Sequence, residues 1–543
     1  MVPTRDRLQR ATETADRTLL FALVAGYVLY AAAFIRSTSF VIGATRYFSL
    51  FDDAMVSMQF AKHLASGRGL VWNAGGPRVE GYSNPLWVLY MSAFHRIGLP
   101  AAKISLAIQL SGAAAIALTM VLAWRLTKRL TNGSPPAAAA AAAFVGFFLP
   151  LNNWSLQGTE VGALALLLTY AAWLACDRLE HLTLNARLYV ILGIVALVRP
   201  DGIIPSMCFL VFLSFADRTH RLRHLVLGGG MLLACVVGQT AFRFWYFGDL
   251  LPNTYYLKMT GFPSALRIGR GLAALMATAW RMNFLLWLAV FTSYAFGRDR
   301  RVLLLLAVVG SVAGYSVFVG GDAWEAWGGA NRYLCTVMPI AFVLLATAMH
   351  EWYDRVVGSA PDTGRDRIVF GMIACCVLVN LNLFTGQASL GEATLLRPPF
   401  VVDINERMVR VGLALHELTD AKARVAVTWA GALPYFADRE SIDLLGKTDR
   451  VIAHEPMHLT AQGLARWLAF HPGHLKWNYD YSIGTLEPDV ITDVWLEPEV
   501  ALPYLRADYR EWRSGNLGLW LRRGSLHVNW EAAARLGSLT DIP

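Results

Sequence analysis

Charge is what this sequence has least of. Only 16% of its 543 residues are Asp, Glu, Lys or Arg, 55% are hydrophobic, and the mean hydropathy is +0.42. A soluble domain carries about 25% charged residues, so water is not the solvent of most of this chain. Cysteine is also scarce. The six present are Cys176, Cys208, Cys235, Cys335, Cys375 and Cys376, all in or at the ends of apolar runs. Nothing after residue 376 can therefore form a disulfide framework, whichever compartment it occupies. There is no P-loop, no dinucleotide glycine fingerprint and no serine nucleophile elbow. The apolar runs lack a period of two, which excludes a membrane β-barrel. No small-residue cleavage site follows the run behind Arg5, Arg7, Arg10 and Arg17, so that run reads as an anchor rather than a signal peptide.

What the chain does have is apolar runs near the roughly 20 residues that a helix needs to cross hydrocarbon. They predict a polytopic α-helical membrane protein with about eleven spans, at 18–40, 101–124, 136–150, 160–176, 187–199, 202–216, 224–247, 279–296, 302–319, 333–350 and 368–387. The net charge of +9 and pI near 9.3 come from clusters between these runs, a topogenic pattern rather than a nucleic-acid footprint. With the N-terminus in the cytoplasm, the clusters Arg125/Lys128/Arg129, Arg178/Arg187, Arg218/Arg221/Arg223, Arg298/Arg300/Arg301 and Arg355/Arg365/Arg367 all fall inside. The loops 41–100, 151–160, 248–278 and 320–332, the Pro200-Asp201 break and everything after about 388 then lie outside. The short apolar stretch 85–99 would reverse that pattern as a span, so it is placed as an interfacial helix anchored by Trp87, Tyr90 and Phe94. No solenoid repeat is present, and the alanine run 137–143 reads as a closely packed helix. Residues 1–390 form the membrane domain. Residues 391–543 form an extracytoplasmic α/β domain, with strands at 424–429 and 490–495 and a short helix at 461–470.

The outer loops hold the residues suited to chemistry. Asp52 and Asp53 follow the first span closely, and adjacent carboxylates raise each other's pKa, which suits proton abstraction from a hydroxyl. They equally suit the start of a helix over 54–65, with Asp53 as its cap. Glu160 sits at the mouth of a helix, where an acid also complements the helix N-terminus. Glu80, Tyr82 and Asn84 offer donors and acceptors within a turn-rich loop. Lys258 and Arg332 are outer cations, against the positive-inside bias, and suit an anionic group; Arg267 and Arg270 read as solvated or paired with lipid headgroups. His454, His458, His471 and His474 make a weak metal pattern, better explained as surface or loop histidines.

In order along the chain, FDDAMVSMQFAKHLASGRGLVWN (51–73), VEGYSNPLW (79–87), QGTE (157–160), VRPDG (198–202), LPNTYYLK (251–258), GGDAWEAWGGANRY (320–333), WAGALPYFADRESIDLLGKTDRVIAH (429–454) and HPGHLKW (471–477) resemble the GT-C superfamily of membrane glycosyltransferases. The resemblance is closer to the branch around the AftB terminal arabinofuranosyltransferases. It implies a GT-C fold and an inverting transfer of a sugar, such as arabinofuranose, from a polyprenyl-phosphate donor to a glycan, lipid or glycoprotein acceptor of the bacterial cell envelope, at the outer face of the inner membrane. It also implies that Asp52 or Asp53, with Asp52 preferred, is the general base and that Glu160 is a second acid. Arg199, Lys258 and Arg332 would bind the donor phosphate, and Glu80, Tyr82, Asn84, Asp201, Asn253, Tyr255, Asp322 and His474 the substrates. A divalent metal beside Asp52 is the one cofactor implied; nucleic acid is not a partner. Two other functions fit the helices: a flippase for polyprenyl-linked sugars, which calls for mid-membrane charges and inverted repeats, and a non-catalytic envelope-assembly protein, which leaves the outer acids without a shared purpose.

Overall fold

A computed structural model of the chain describes residues 5–181, 185–327, 329–358 and 364–542. Gly328, inside the 320–333 stretch, lies outside them. Among the described residues five helices are long and apolar enough to cross a membrane: Thr14–Ser37, Ala101–Leu130, Val161–His181, Arg218–Phe247 and Arg300–Val319. Two bent pairs bring the number to as many as seven, and Ala186–Val198 and Pro200–Ala216 are shorter apolar helices. The protein is a polytopic α-helical membrane protein.

Two of the expected spans are broken. The run at 136–150 stops at Phe147 and resumes as Leu149–Leu156 at an angle of 49°. Pro150 lacks an amide hydrogen and its ring clashes with the preceding turn, so one helix cannot run through it. The run at 279–296 straddles a 91° corner between Ser264–Arg281 and Phe284–Gly297, where Asn283 takes a left-handed backbone at φ 56°. Ser264–Arg281 buries Leu266, Arg267 and Arg270 on one face and exposes Leu272, Met276 and Trp280 on the other. That two-sided pattern belongs to a helix lying in an interface.

Small residues draw the helices together. The alanine-rich helix Pro135–Phe147 buries Ala137, Ala138 and Ala140 to Ala142, so neighbouring backbones approach closely. At Gly112 a Cβ would stand 2.2 Å from the Ser155 carbonyl oxygen, so only glycine fits. The bundle has two distinct ends. At one, Arg129 pairs with Asp177 and Glu180, and Arg301 pairs with Glu180 and Asp299. At the other lie Glu160, Arg199 and Arg332. The helix Val161–His181 connects them and, at 1.5 Å per residue, separates them by about 30 Å.

The C-terminal region covers that second end. In its six-stranded sheet β1 (Arg424–Val427) lies parallel to β2 (Glu440–Asp443) and β3 (Val490–Ile491), β4 (Tyr509–Ser514), β5 (Leu517–Arg522) and β6 (Ser538–Asp541) continue it antiparallel, and the order across the sheet is β2-β1-β3-β5-β4-β6. Side chains alternate across a strand. Val425 and Val427 therefore join one core with Met55, Phe60 and Val88 of the first loop, while Ala426 joins a second core with Ile442, Ile491 and Tyr509. Each fully buried side chain such as Met55 or Phe60 contributes about 1.5–3 kcal/mol to this union. The edge of β2 is not left open: Asn73 of the first loop exchanges two hydrogen bonds with the Ser441 backbone, at 2.7 and 3.0 Å.

Candidate active site at the mouth of the bundle

The helix Asp52–Ala65 begins two residues earlier than the capping pattern predicts. Its cap is Phe51, and neither Asp side chain caps it. Both acids lie in the first turn, and consecutive helical residues point about 100° apart, so the two carboxylates diverge. Asp52 Oδ1 accepts the amides of Gly431 and Ala432, each at 3.1 Å. A Cβ on Gly431 would sit 2.0 Å from the Asp52 carbonyl oxygen, so glycine is what allows the C-terminal region to close on this acid. Burial pushes the Asp52 carboxyl up to about 6; Asp53 adds to the rise, while Lys447 and the two amides oppose it.

Asp53 faces a cavity of about 330 Å³. One Oδ pairs with Arg332 and the other with Lys447, the latter from the C-terminal region. Burial alone would raise its pKa, but Lys447, Arg332 and Lys258 outweigh it and hold the carboxyl well below the usual range. Arg332 also bonds both oxygens of Asp322, at 2.8 and 3.1 Å, and its guanidinium lies over Trp154. Lys258 lines the same cavity. Among the described residues no group hydrogen-bonds or ion-pairs with its ammonium, and burial together with Arg332 brings its pKa down to about 8. Three cations thus meet two carboxylates around one void.

That void continues into a smaller chamber of about 40 Å³ beyond Asp53, lined by Asp322, Gly473 and His474. Burial drives the His474 imidazole down to about 3, so it is neutral there. On the opposite side the main cavity is walled by Val236, Gln239 and Thr240. These belong to the helix Gly230–Phe247, which exposes Leu233, Val237 and Phe244 on an adjoining face.

A second network lines the main cavity. Arg199 binds Asp201 through two oxygens and Glu160 at 3.1 Å, Asn84 donates to Glu160 at 2.8 Å, and Tyr333 lies under the guanidinium. Tyr82 and Tyr255 also face the cavity. Two predicted substrate contacts do otherwise. Glu80 pairs with Arg243, and the Asn253 side-chain amide donates to the carbonyls of Gly446, Lys447 and Asp449 at 2.9 to 3.1 Å. Asn253 holds the turn that carries Lys447. Arg267 and Arg270, expected to be solvated, are buried: Arg267 donates to the Phe318 and Met259 carbonyls, and Arg270 to Glu325, Gly320 and Asp322.

Lys447 is the functional side chain that sequence reasoning misses. It lies 394 residues from Asp53, and its Gly-Lys-Thr setting reads as an ordinary turn. Gln239, Tyr315 and Tyr333 of the lining were hidden inside or beside apolar runs. A divalent metal fits this neighbourhood poorly. Asp52 Oδ1 already takes two amides, Asp53 is held by cations, and among the described residues no group of three His, Cys, Asp or Glu side chains is placed to share an ion. His454 and His458 stack on Tyr256 and Trp477.

The bundle thus carries its polar cavity at one mouth, roofed by a mixed α/β region. The chain is similar in structure to ArnT from Cupriavidus metallidurans bound to undecaprenyl phosphate, with a TM-score of 0.54 and 13% identity over 93% of this chain and 98% of that one. It is also similar to the oligosaccharyltransferase AglB from Archaeoglobus fulgidus in complex with an inhibitory peptide and a dolichol-phosphate, with a TM-score of 0.51 and 12% identity over 95% of this chain and 75% of that one. At such identity the likeness establishes the fold. A family described as "Domain of unknown function (DUF8728)" matches residues 402–535. No curated protein matches the sequence.

Proposed function

We propose that the protein is an inverting glycosyltransferase that moves a sugar from a polyprenyl-phosphate donor to a hydroxyl of a cell-envelope glycan or glycoconjugate. In this reading the basic end of the bundle lies in the cytoplasm and the cavity opens at the outer face of the bacterial inner membrane, in keeping with the positive-inside bias. Arabinofuranose is the sugar to which the sequence resemblance points.

The observation that carries the reading is Lys258: an ammonium in the cavity wall with no hydrogen-bond or ion-pair partner among the described residues, where three cations, Lys258, Arg332 and Lys447, outnumber the carboxylates of Asp53 and Asp322. Such a surplus of positive charge in a half-buried site favours an anion, and a phosphate diester supplies it. The helix Gly230–Phe247, apolar on an exposed face beside the cavity, gives the prenyl chain a way to lie in lipid while its phosphate reaches Lys258 and Arg332. The acceptor oxygen attacks the anomeric carbon, the bond from that carbon to the phosphate oxygen breaks with its electron pair, and the configuration inverts. The hydroxyl proton passes to Asp53, the acid that faces the cavity. The phosphate leaves with one more negative charge than it brought, and fixed cations in a water-poor site stabilise that change.

The test is transfer from a radiolabelled polyprenyl-phosphate sugar by the purified protein. Asp53→Asn is expected to lower the rate by about 10²–10⁴, the usual contribution of a positioned base, with binding of undecaprenyl phosphate retained. Full turnover by this variant would remove Asp53 from the chemistry.

A further inference from the structure

At rest the base of this reaction is in the wrong company. Asp53 gives one oxygen to Arg332 and the other to Lys447, and a carboxylate held by two cations has little capacity to accept a proton from a hydroxyl. The reactive arrangement must therefore differ from this one in who holds the cations. We propose that donor binding activates Asp53 by partner exchange: the donor phosphate takes Lys447 and Arg332 away from the carboxylate, so that Lys447 is a catalytic residue supplied by the C-terminal region. The inference rests on the glycosyltransferase reading and deepens it.

The geometry suits an exchange carried by side chains on a fixed frame. The turn bearing Lys447 is tied to the membrane half through the Asn253 amide, and Asp443 accepts the Thr448 amide at 2.7 Å and the Leu445 amide at 3.0 Å. Gly81 lies so close that a Cβ there would be 3.1 Å from the Lys447 carbonyl oxygen. The backbone cannot drift, whereas the ammonium rides on a flexible four-carbon stem. Asp53 is its single ion-pair partner among the described residues. Arg332 stays anchored to Asp322 whichever anion its remaining nitrogen meets. Lys258, Arg332, Lys447 and Asp53 all line the main cavity, so an anion lodged against Lys258 is in reach of the other cations. Two anionic oxygens of a phosphate diester then compete with the two of Asp53. Once the phosphate holds the cations, Asp53 regains basicity only while a donor is present, which couples proton abstraction to a loaded site.

The exchange makes a prediction opposite to that of a binding carboxylate. Undecaprenyl phosphate is titrated into the full-length protein in detergent and followed by tryptophan fluorescence, Trp154 lying beneath Arg332. Asp53→Asn is expected to tighten binding by about tenfold, because the competitor is gone; Lys447→Met is expected to weaken it by about ten- to a hundredfold, and Lys447→Arg to restore most of the loss. Unchanged or weaker binding by Asp53→Asn overturns the exchange, and does so even if Lys447→Met fails to fold. Transfer is measured separately: a wild-type protein that transfers no sugar while the binding order holds would refute the glycosyltransferase reading and leave the exchange standing.

Discussion

Two charge clusters lie at the same end of the bundle, and they differ in what they leave over. Around Arg270 one cation meets one acid, Glu325, and its remaining hydrogens go to the Gly320 and Asp322 carbonyls, while Asn331 satisfies the other oxygen of Glu325. Around Asp53 three cations face two carboxylates beside a cavity, and Lys258 has no hydrogen-bond or ion-pair partner among the described residues. The first cluster is complete and holds a loop in place. The second is incomplete without an anion. Buried charge alone therefore does not mark a site; uncompensated buried charge next to empty space does.

Substitutions sharpen the contrast. The largest effect on stability is expected from Arg270→Met, which strands Glu325 and two carbonyls and costs about 3–5 kcal/mol, the usual result of removing one partner of a buried pair. Thermal unfolding in detergent reads it. Lys258→Met removes a cation that has no direct hydrogen-bond or ion-pair partner, only the longer-range field of Asp53 and Asp322, so the same measurement should show little loss, while transfer falls by about 10²-fold, as for a lost electrostatic stabiliser. If Lys258→Met destabilised as much as Arg270→Met, the two clusters would be alike and the distinction would fall.

The smallest effect concerns pH. The Asp52 carboxyl, normally near 3.8, is raised by burial to about 6. Its proton is held more firmly in the folded state, so the stability it contributes is full below about pH 4 and is lost as pH rises toward 6. Asp53 works in the opposite sense and at lower pH, and the buried neutral His474 opposes Asp52 across the same window. The difference between wild type and Asp52→Asn isolates the acid: the variant should gain about 1–3 kcal/mol on wild type between pH 4 and 6, and a parallel pair of curves would show that Asp52 does not titrate there.

Much of this organisation is legible in the sequence, because its causes are local. Hydropathy and charge are sums over short stretches, which is why the helical membrane character and the segregation of basic residues to one end could be read directly. Breaks were harder to see. Pro150 and Asn283 each sit inside an apolar run, and hydropathy does not register that a proline or a left-handed residue turns the chain. Arg267 and Arg270 were misread for a related reason: a single cation in a loop looks solvated until the residues that accept its hydrogens are known. Tyr82, Asn84, Glu160, Arg199, Asp201, Lys258 and Arg332 do line the main cavity, and Asp322 and His474 line the smaller chamber that Lys258 and Arg332 also border.

What the sequence by itself determined is the solvent of the chain, its helical class, and the loops in which the candidate acids and cations lie. Only the tertiary structure decided which of two adjacent aspartates faces the cavity, and that a lysine 394 residues away holds it. Helical phase sends Asp52 toward the Gly431 and Ala432 amides and Asp53 toward the void. Whether those amides, that void and Lys447 are there at all depends on how the C-terminal sheet packs on the first loop, a long-range union that no local pattern encodes.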